Sequence, residues 1–255
     1  MAWTRTYDEG EPQRVNRWLA QSGVCSRREA EGLIARGLVS INGETVEDVG
    51  RKILPGQTLT LADVATADLG AAMTLMIHKP VGIVSSQPEG EQVPAVRLIT
   101  RDTLWGDSPS IPGRDSRLAP VGRLDMDSRG LLILSEDGVV AKAVIGPDSL
   151  LEKEYVVTVT GQITDARLAL LRHGLVLDGR QLRPAKVTQE GPRTLRFVLT
   201  EGRNRQIRRM CELVDLWVAD LYRVRVGPLT LGDLPEGRWR PLTAQERAAL
   251  IAGDQ

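Results

Sequence analysis

Phenylalanine occurs once, tyrosine three times and cysteine twice in this 255-residue chain, and no apolar run approaches the roughly 18 residues that span a bilayer. Cys25 and Cys211 are too few for a disulfide scaffold. With only His78 and His173 beside them, no zinc spacing such as C-x₂-C is assembled, so no metal is expected. The opening MAWTRTYDEGEPQR has no apolar signal stretch, which predicts a cytoplasmic protein with no membrane association. Net charge of one sign is absent as well. Thirty-three basic and 33 acidic residues cancel, excluding the overall basic field of many small nucleic-acid-binding domains. Contact with RNA or DNA then has to come from local patches. Lysine is scarce, 5 residues against 28 arginines. Arginine's planar fork pairs two-fold with phosphate or stacks on a base, although a GC-rich genome produces the same ratio. What is present, 42% apolar and 26% charged residues, is the balance of an ordinary globular protein. The length exceeds the roughly 100–200 residues typical of one domain, so a small module joined to a larger one is allowed.

Residues 1–11 are polar and unpatterned and read as a flexible arm. In RVNRWLAQSGV, Val15, Trp18 and Leu19 fall at i, i+3 and i+4, one face of a short helix ending near Gly23. A second helix starts at Ser26, where Ser26 and Glu29 have the form of a capping box; Ala30, Leu33 and Ile34 give its buried stripe and Gly37 its stop. Asn42-Gly43 between alternating apolar runs is a hairpin signal, and KILPGQTLTL adds a strand after Pro55-Gly56. Residues 12–62 therefore form a unit of two helices and a small sheet. Residues 63–72, small and weakly patterned, read as a linker. From 73 to 250 the strand-like segments LMIHKPVGIVSS, GLLILS, EKEYVVTVTG, LRPAKVTQE and TLRFVLTEG are interrupted by helical patterns at Val139–Ile145, Asp165–His173 and Asn204–Val214, and residues 87–118 by loops with a short helix around Val96–Arg101. This predicts an α+β chain: a small two-helix unit, then a mixed domain on a largely antiparallel sheet.

Three places carry candidate chemistry. Arg27 and Arg28 stand in the first turn of the second helix, where the helix dipole disfavours positive charge by about 0.3–1 kcal/mol each. An RNA phosphate would reverse that sign, and two solvated surface arginines is the equally weighted alternative. In PVGRLDMDSRGLLILSEDG, a carboxylate on a loop entering a buried strand is well placed to face a cleft. Metal-site and glycosidase readings of Asp125 and Asp127 lack further ligands or the usual spacing, and loop capping is the commoner role of such residues. Along Asn204–Val214, Ile207, Met210, Cys211 and Val214 form one face and leave Arg205, Arg208 and Arg209 as a basic stripe. Like charges at that spacing repel, so a negative partner is expected.

Taken whole, RVNRWLAQSGVCSRREAEGLIARGLVSINGE resembles the alpha-L RNA-binding motif, the S-four domain, over about 50 residues. GRLDMDSRGLLILSEDG resembles the catalytic segment of the RsuA family of pseudouridine synthases. EKEYVVTV and LTEGRNRQIRRMCE follow in that family's order, between an HKPVGIVSS opening and LYRVRVGPLTLGDLPEGRWRPLT. Within the family NRQIRRMCE and GVCSRREAE are most similar to the RluF type, whose target is a 23S rRNA uridine near the peptidyl-transferase centre. The resemblance implies a cofactor-free, cytoplasmic, monomeric isomerase that flips a uridine out of rRNA, with 16S rRNA or tRNA as alternative targets; a non-catalytic ribosome-assembly protein is the rival reading. It assigns Asp125 as nucleophile, Arg208 as the cation beside it, and Tyr155 as the phenol against the uracil. Arg123 would fill the vacated stack and Ile207 pack under the ring. Lys79, Arg203 and Arg205 would meet phosphate, as would Arg14, Arg27 and Arg28 of the S-four unit. Asp127 stays a loop residue, with Asp127→Asn expected to leave turnover unaltered. The chain departs from the family at Ala119, usually aromatic, at Asp215, often glycine, and in the long stretch Arg101–Arg117, all bearing on the choice of uridine.

Overall fold

A computed structural model describes residues 2–108, 110–113, 116–173 and 175–253. The chain folds as two units, Met1–Met73 with Ser135–Lys142, and Thr74–Leu134 with Ala143–Gln255.

In the first unit, β1 (Trp3–Thr6), β2 (Gln13–Arg14), α1 (Val15–Gln21), α2 (Arg27–Ala35), β3 (Val39–Ile41), β4 (Glu44–Thr45), β5 (Lys52–Ile53), β6 (Thr58–Leu61) and α3 (Asp63–Ala71) follow in order. Strands β1-β6-β3-β4 make a four-stranded sheet and β2 pairs with β5. The capping box of α2 is present: Glu29 N–H donates to Ser26 Oγ, and Ser26 N–H donates to the Glu29 carboxylate at 2.6 Å. Asn42 (φ 49°) and Gly43 (φ 88°) take the left-handed pair of a tight hairpin turn. Val15, Trp18, Leu19, Ala30, Leu33 and Ile34 pack with Ile53, Leu59 and Leu61 into one apolar cluster.

Two sequence readings fail here. Residues 1–11 are not an arm throughout, because β1 pairs antiparallel with β6. Thr4 and Thr6 meet Thr60 and Thr58 across the strands at 3.2 and 3.0 Å, and Tyr7 is buried edge-on to Trp18 with centroids 5.4 Å apart. Threonine is polar by composition but a strand former by shape, and an aromatic at each end of WTRTY supplies the buried anchor. The linker 63–72 is largely helix α3, since its alanines favour helix when Ala65 can be buried and Leu69 can pack on the core.

The second unit is built on a sheet of β7 (Thr74–Lys79), β8 (Ala119–Val121), β9 (Arg129–Ser135), β10 (Lys153–Thr160), β13 (Lys186–Gly191), β14 (Thr194–Leu199), β15 (Trp217–Val226), β16 (Leu229–Thr230) and β17 (Trp239–Pro241). A separate hairpin joins β11 (Val176–Leu177) to β12 (Arg180–Gln181). The order β13-β14-β10-β15-β9-β7-β17, with β15 parallel to β9 and the β10, β13, β14 and β16 pairings antiparallel, makes the sheet mixed. Helices α5 (Asp165–Arg172), α6 (Gln206–Glu212) and α7 (Ala244–Ala252) belong to this unit, while α4 (Gly138–Ile145) begins within residues 135–142 of the first unit and ends in the second. The helix expected near Val96–Arg101 is a single 3₁₀ turn at Ala95–Leu98; residues 109, 114 and 115 of that loop stretch lie outside the described residues.

Gly130 is required by packing. A Cβ on Gly130 (φ 112°) would fall 2.2 Å from the Arg223 carbonyl oxygen, so only glycine lets β9 approach β15 at the Gly130–Arg223 pair. Asp215 leaves α6 at φ 52°, a left-handed conformation that glycine would adopt more freely, and its carboxylate meets Arg167 at 3.3 Å.

Candidate active site

A cavity of about 570 Å³ opens in the second unit, lined among others by Arg123, Asp125, Lys153, Tyr155, Arg205, Ile207 and Arg208. Its floor is set by strand alternation. Lys153 and Tyr155 on β10, and Leu221 and Arg223 on β15, share one face because successive side chains point to opposite sides.

Asp125 stands on the loop between β8 and β9, and that loop is held at several points. Ser85 Oγ donates to the Leu124 carbonyl at 2.6 Å and accepts from Leu124 N–H at 2.9 Å. Gly82 N–H donates to the Met126 carbonyl at 2.8 Å. The buried Arg223 guanidinium donates to the carbonyls of Gly122 (2.8 Å), Arg123 (3.4 Å) and Leu131 (2.7 Å), on both sides of Asp125. A carboxylate is thereby presented from backbone whose carbonyls are bonded on each flank, which restricts its position without using its own oxygens.

The cations around the two aspartates are arranged differently from expectation. Arg205 Nη1 lies 3.7 Å from Asp125 Oδ2, and the same guanidinium donates two-fold to Asp127 at 3.1 and 2.9 Å. Arg208, expected beside Asp125, instead places Nε 3.3 Å from Asp127 Oδ2 and donates to the Asp127 and Val218 carbonyls at 2.7 and 3.2 Å. The reason is local geometry: Arg205 is not in the helix but caps α6 in the left-handed region (φ 48°, ψ 33°), so it swings away from the stripe and toward the loop. Burial pulls the Asp127 carboxyl up, but the Arg205 hydrogen bonds and the charges of Arg208 and Arg205 outweigh it and hold the group below its usual range. Arg209, the third member of the stripe, pairs with Asp178.

Two expected phosphate contacts are corrected. Lys79 has no exposed surface, and its Nζ donates to the Pro80 and Ile83 carbonyls at 2.8 and 2.7 Å. Burial pushes its ammonium down to about 8, against the opposing pull of Asp125 and Asp127. It fixes the loop before Ser85 and cannot reach an RNA strand. Arg203 spends its guanidinium on the carbonyls of Leu177, Arg180 and Gln181 and on Glu201 at 3.4 Å. By contrast Arg123 is exposed at the cavity edge, Tyr155 and Ile207 are buried in its wall, and Arg14, Arg27 and Arg28 are exposed on the first unit. Sequence reasoning missed Lys153, a buried lysine pushed down to about 8 by burial and by the Arg223 charge, although its two-residue spacing from Tyr155 already put it on the same face. It also missed Arg223 and the anchoring role of Asp127. Among the described residues no group of three or more His, Cys, Asp or Glu is placed to hold a metal ion, and no helix is long and apolar enough to cross a membrane.

The model of the family described as RNA pseudouridylate synthase matches residues 73–213, and that of the S4 domain matches residues 13–59. The chain belongs to the RNA pseudouridylate synthase family. It is 34% identical over 235 residues to the dual-specificity RNA pseudouridine synthase RluF of Salmonella typhi, spanning 91% of this chain and 76% of that protein. It is 32% identical over 243 residues to the ribosomal large subunit pseudouridine synthase B of Yersinia pestis, spanning 90% and 72%. A crystal structure of a pseudouridylate synthase superposes with a TM-score of 0.64 at 26% identity, covering 93% of this chain and 99% of that one. This pseudouridine synthase is therefore RluF-like, acts on RNA, and carries an S4 RNA-binding domain ahead of a mixed-sheet catalytic domain.

Proposed function

We propose that this pseudouridine synthase isomerises a uridine of ribosomal RNA, in the 23S molecule, with Asp125 as nucleophile on a flipped-out base. The observation that carries the reading is the Asp125 carboxylate, held from both flanks on the cavity wall with the Arg205 cation at 3.7 Å and with Tyr155 and Ile207 lining the same cavity. The reaction breaks the bond from ribose C1′ to uracil N1, turns the base, and joins C1′ to C5; the proton that leaves C5 is balanced by one taken up at the freed N1. Electrons balance without a redox partner. A single ionised carboxylate suffices as the transient covalent partner, and a cation at its side stabilises that charged form. The Tyr155 phenol is the group to take the C5 proton, and Ile207 gives the ring an apolar surface. A base inside a duplex is unreachable, so it has to leave the stack, and the exposed planar guanidinium of Arg123 suits the vacancy. Arg14, Arg27 and Arg28 would hold RNA phosphates on the S4 domain, the last two at a helix start whose N–H groups already favour an anion. The large-subunit function in the name of the Yersinia pestis relative supports the 23S target.

Mapping pseudouridines in total RNA from cells with and without the protein tests the reading. Loss of one or more sites confined to 23S rRNA is expected. Loss confined to 16S rRNA or tRNA would move the target, and an unchanged map would remove the enzymatic reading.

A further inference from the structure

The hairpin formed by β11 and β12 stands at the end of the cavity where Glu201, Gly202 and Arg203 line it, and the proposed function gives it no role. It is short, and its tip is Asp178 (φ 54°) and Gly179 (φ 70°), a tight turn. Two strands of two residues have little stability of their own, yet this hairpin is tied to α6 and the segment ahead of it by three separate contacts. The Arg203 guanidinium donates to three of its carbonyls, those of Leu177, Arg180 and Gln181. Glu201 accepts from Arg183 N–H at 3.1 Å and also from Gln206 Nε2 at 2.8 Å. Arg209 forks onto Asp178 at 3.0 and 2.6 Å. Arg205, Arg208, Arg209, Arg203 and Arg223 all turn their guanidiniums onto protein oxygens. Among the described residues, Arg183 and Gln181 do not: both are exposed, both line the cavity, and neither side chain has a hydrogen-bond or ion-pair partner.

We infer that the hairpin is an RNA-reading wall, in which Arg183, with Gln181, binds the phosphate and ribose of the nucleotide next to the flipped uridine, while Arg203 acts as the staple that holds the wall in place. This rests on the proposed function and deepens it. Three points support it. The cavity's 570 Å³ lies inside the roughly 300–1,000 Å³ of small-molecule sites and exceeds what one pyrimidine ring fills, so a flanking nucleotide has room. Free donors at the rim of an RNA-modifying cavity find phosphate and sugar, the most common partners of arginine on nucleic acids. The ties from Arg203, Arg209 and Glu201 hold the hairpin in place, which lowers the entropy lost when a strand settles against it.

The test uses the full chain and a labelled 12-nucleotide single-stranded RNA with one central uridine, titrated over a range of salt. Arg183→Gln should weaken binding about five- to tenfold and lower the slope of log K against log salt by about 0.7, the share of one phosphate on a single strand. Arg193→Gln removes the same charge from the exposed β13–β14 turn, outside the cavity, and should change neither quantity comparably. Arg203→Gln should weaken binding as well, and the double variant with Arg183→Gln should lose less than the sum, because Arg203 acts through the position of Arg183. Equal effects of Arg183→Gln and Arg193→Gln would overturn the inference, and so would full additivity of the Arg203 and Arg183 substitutions. Binding to this oligomer is read separately from turnover. Failure of the wild-type protein to form pseudouridine in any RNA would strike the proposed function, while the salt slopes would still decide the hairpin.

Discussion

Asp127→Asn should cost both stability and turnover, the opposite of what a loop-capping residue would show. The swap keeps the shape and removes the charge that two guanidiniums share. Arg205 donates to Asp127 through two nitrogens and Arg208 places Nε 3.3 Å from it. Asp127 is 45% exposed, so the Arg205 pair is worth the surface range of about 0.2–1 kcal/mol. The Arg208 side chain is only 9% exposed, so its 3.3 Å ion pair, in which Nε makes no hydrogen bond, is less screened than a surface pair and adds a comparable share of up to about 1 kcal/mol. The Asp127 and Val218 carbonyls remain to Arg208, so a total near 1–2 kcal/mol is expected, read as a fall of about 3–6 °C in melting temperature. Turnover should fall about tenfold, because Arg205 released from Asp127 no longer stays 3.7 Å from Asp125. The pH dependence has a definite sign. A carboxyl whose folded value is lowered stabilises above its unfolded value near 4 and loses that contribution as pH falls through the folded value. Wild type and variant should therefore differ at pH 7 and converge in acid. Single-turnover rates at pH 7 and melting curves from pH 7 down through the acid range below about pH 4 check this. Unaltered melting and turnover at pH 7 would refute the anchoring role.

Other perturbations follow from the same geometry. Arg27→Gln with Arg28→Gln should leave the protein folded, since both side chains are exposed, and should lower the salt slope of RNA binding by roughly one to two units; an unchanged slope would show that the S4 domain does not anchor RNA through these residues. Arg223→Lys keeps the charge but offers one donor point where three carbonyls need a fork, so kcat should fall with little change in KM and in RNA affinity. Lys153 carries a folded value near 8 against 10.5 unfolded, so its buried charge opposes folding fully below pH 8 and is relieved as pH rises to 10.5. Lys153→Met should thus raise stability more at pH 7 than at pH 10.5, measured by denaturant titration.

Much of the first domain was readable because its signals are local. The Ser26 capping box, the Asn42-Gly43 turn and the apolar stripe of Leu33 and Ile34 each lie within a few residues, and each formed as read. β1 was not, because what makes Trp3–Thr6 a strand is its pairing with β6, more than 50 residues away. The same distinction holds at the site. A motif resemblance pointed to Asp125, which lines the cavity, and alternation on β10 accounts for Tyr155 and Lys153 sharing a face. Which guanidinium meets which carboxylate was beyond it. A helical wheel puts Arg205 beside Arg208 and Arg209, but the left-handed backbone at Arg205 breaks the wheel at its first position. The burial of Lys79 was equally hidden, since its neighbours Pro80 and Gly82 suggest an exposed turn while its ammonium is drawn inward by two carbonyls.

The central claim is that one carboxylate does the covalent chemistry. Asp125→Asn is nearly isosteric, and the backbone bonds at Leu124, Gly122 and Arg123 that hold the loop do not use the Asp125 side chain, so the variant should fold normally. Removing one negative charge should leave RNA affinity within a few-fold of wild type. The decisive measurement is single-turnover pseudouridine formation by wild type and Asp125→Asn on an rRNA fragment carrying the mapped uridine. The account predicts product with the wild type and none above background with the variant while the RNA remains bound; pseudouridine formed by Asp125→Asn at a substantial fraction of the wild-type rate would contradict it.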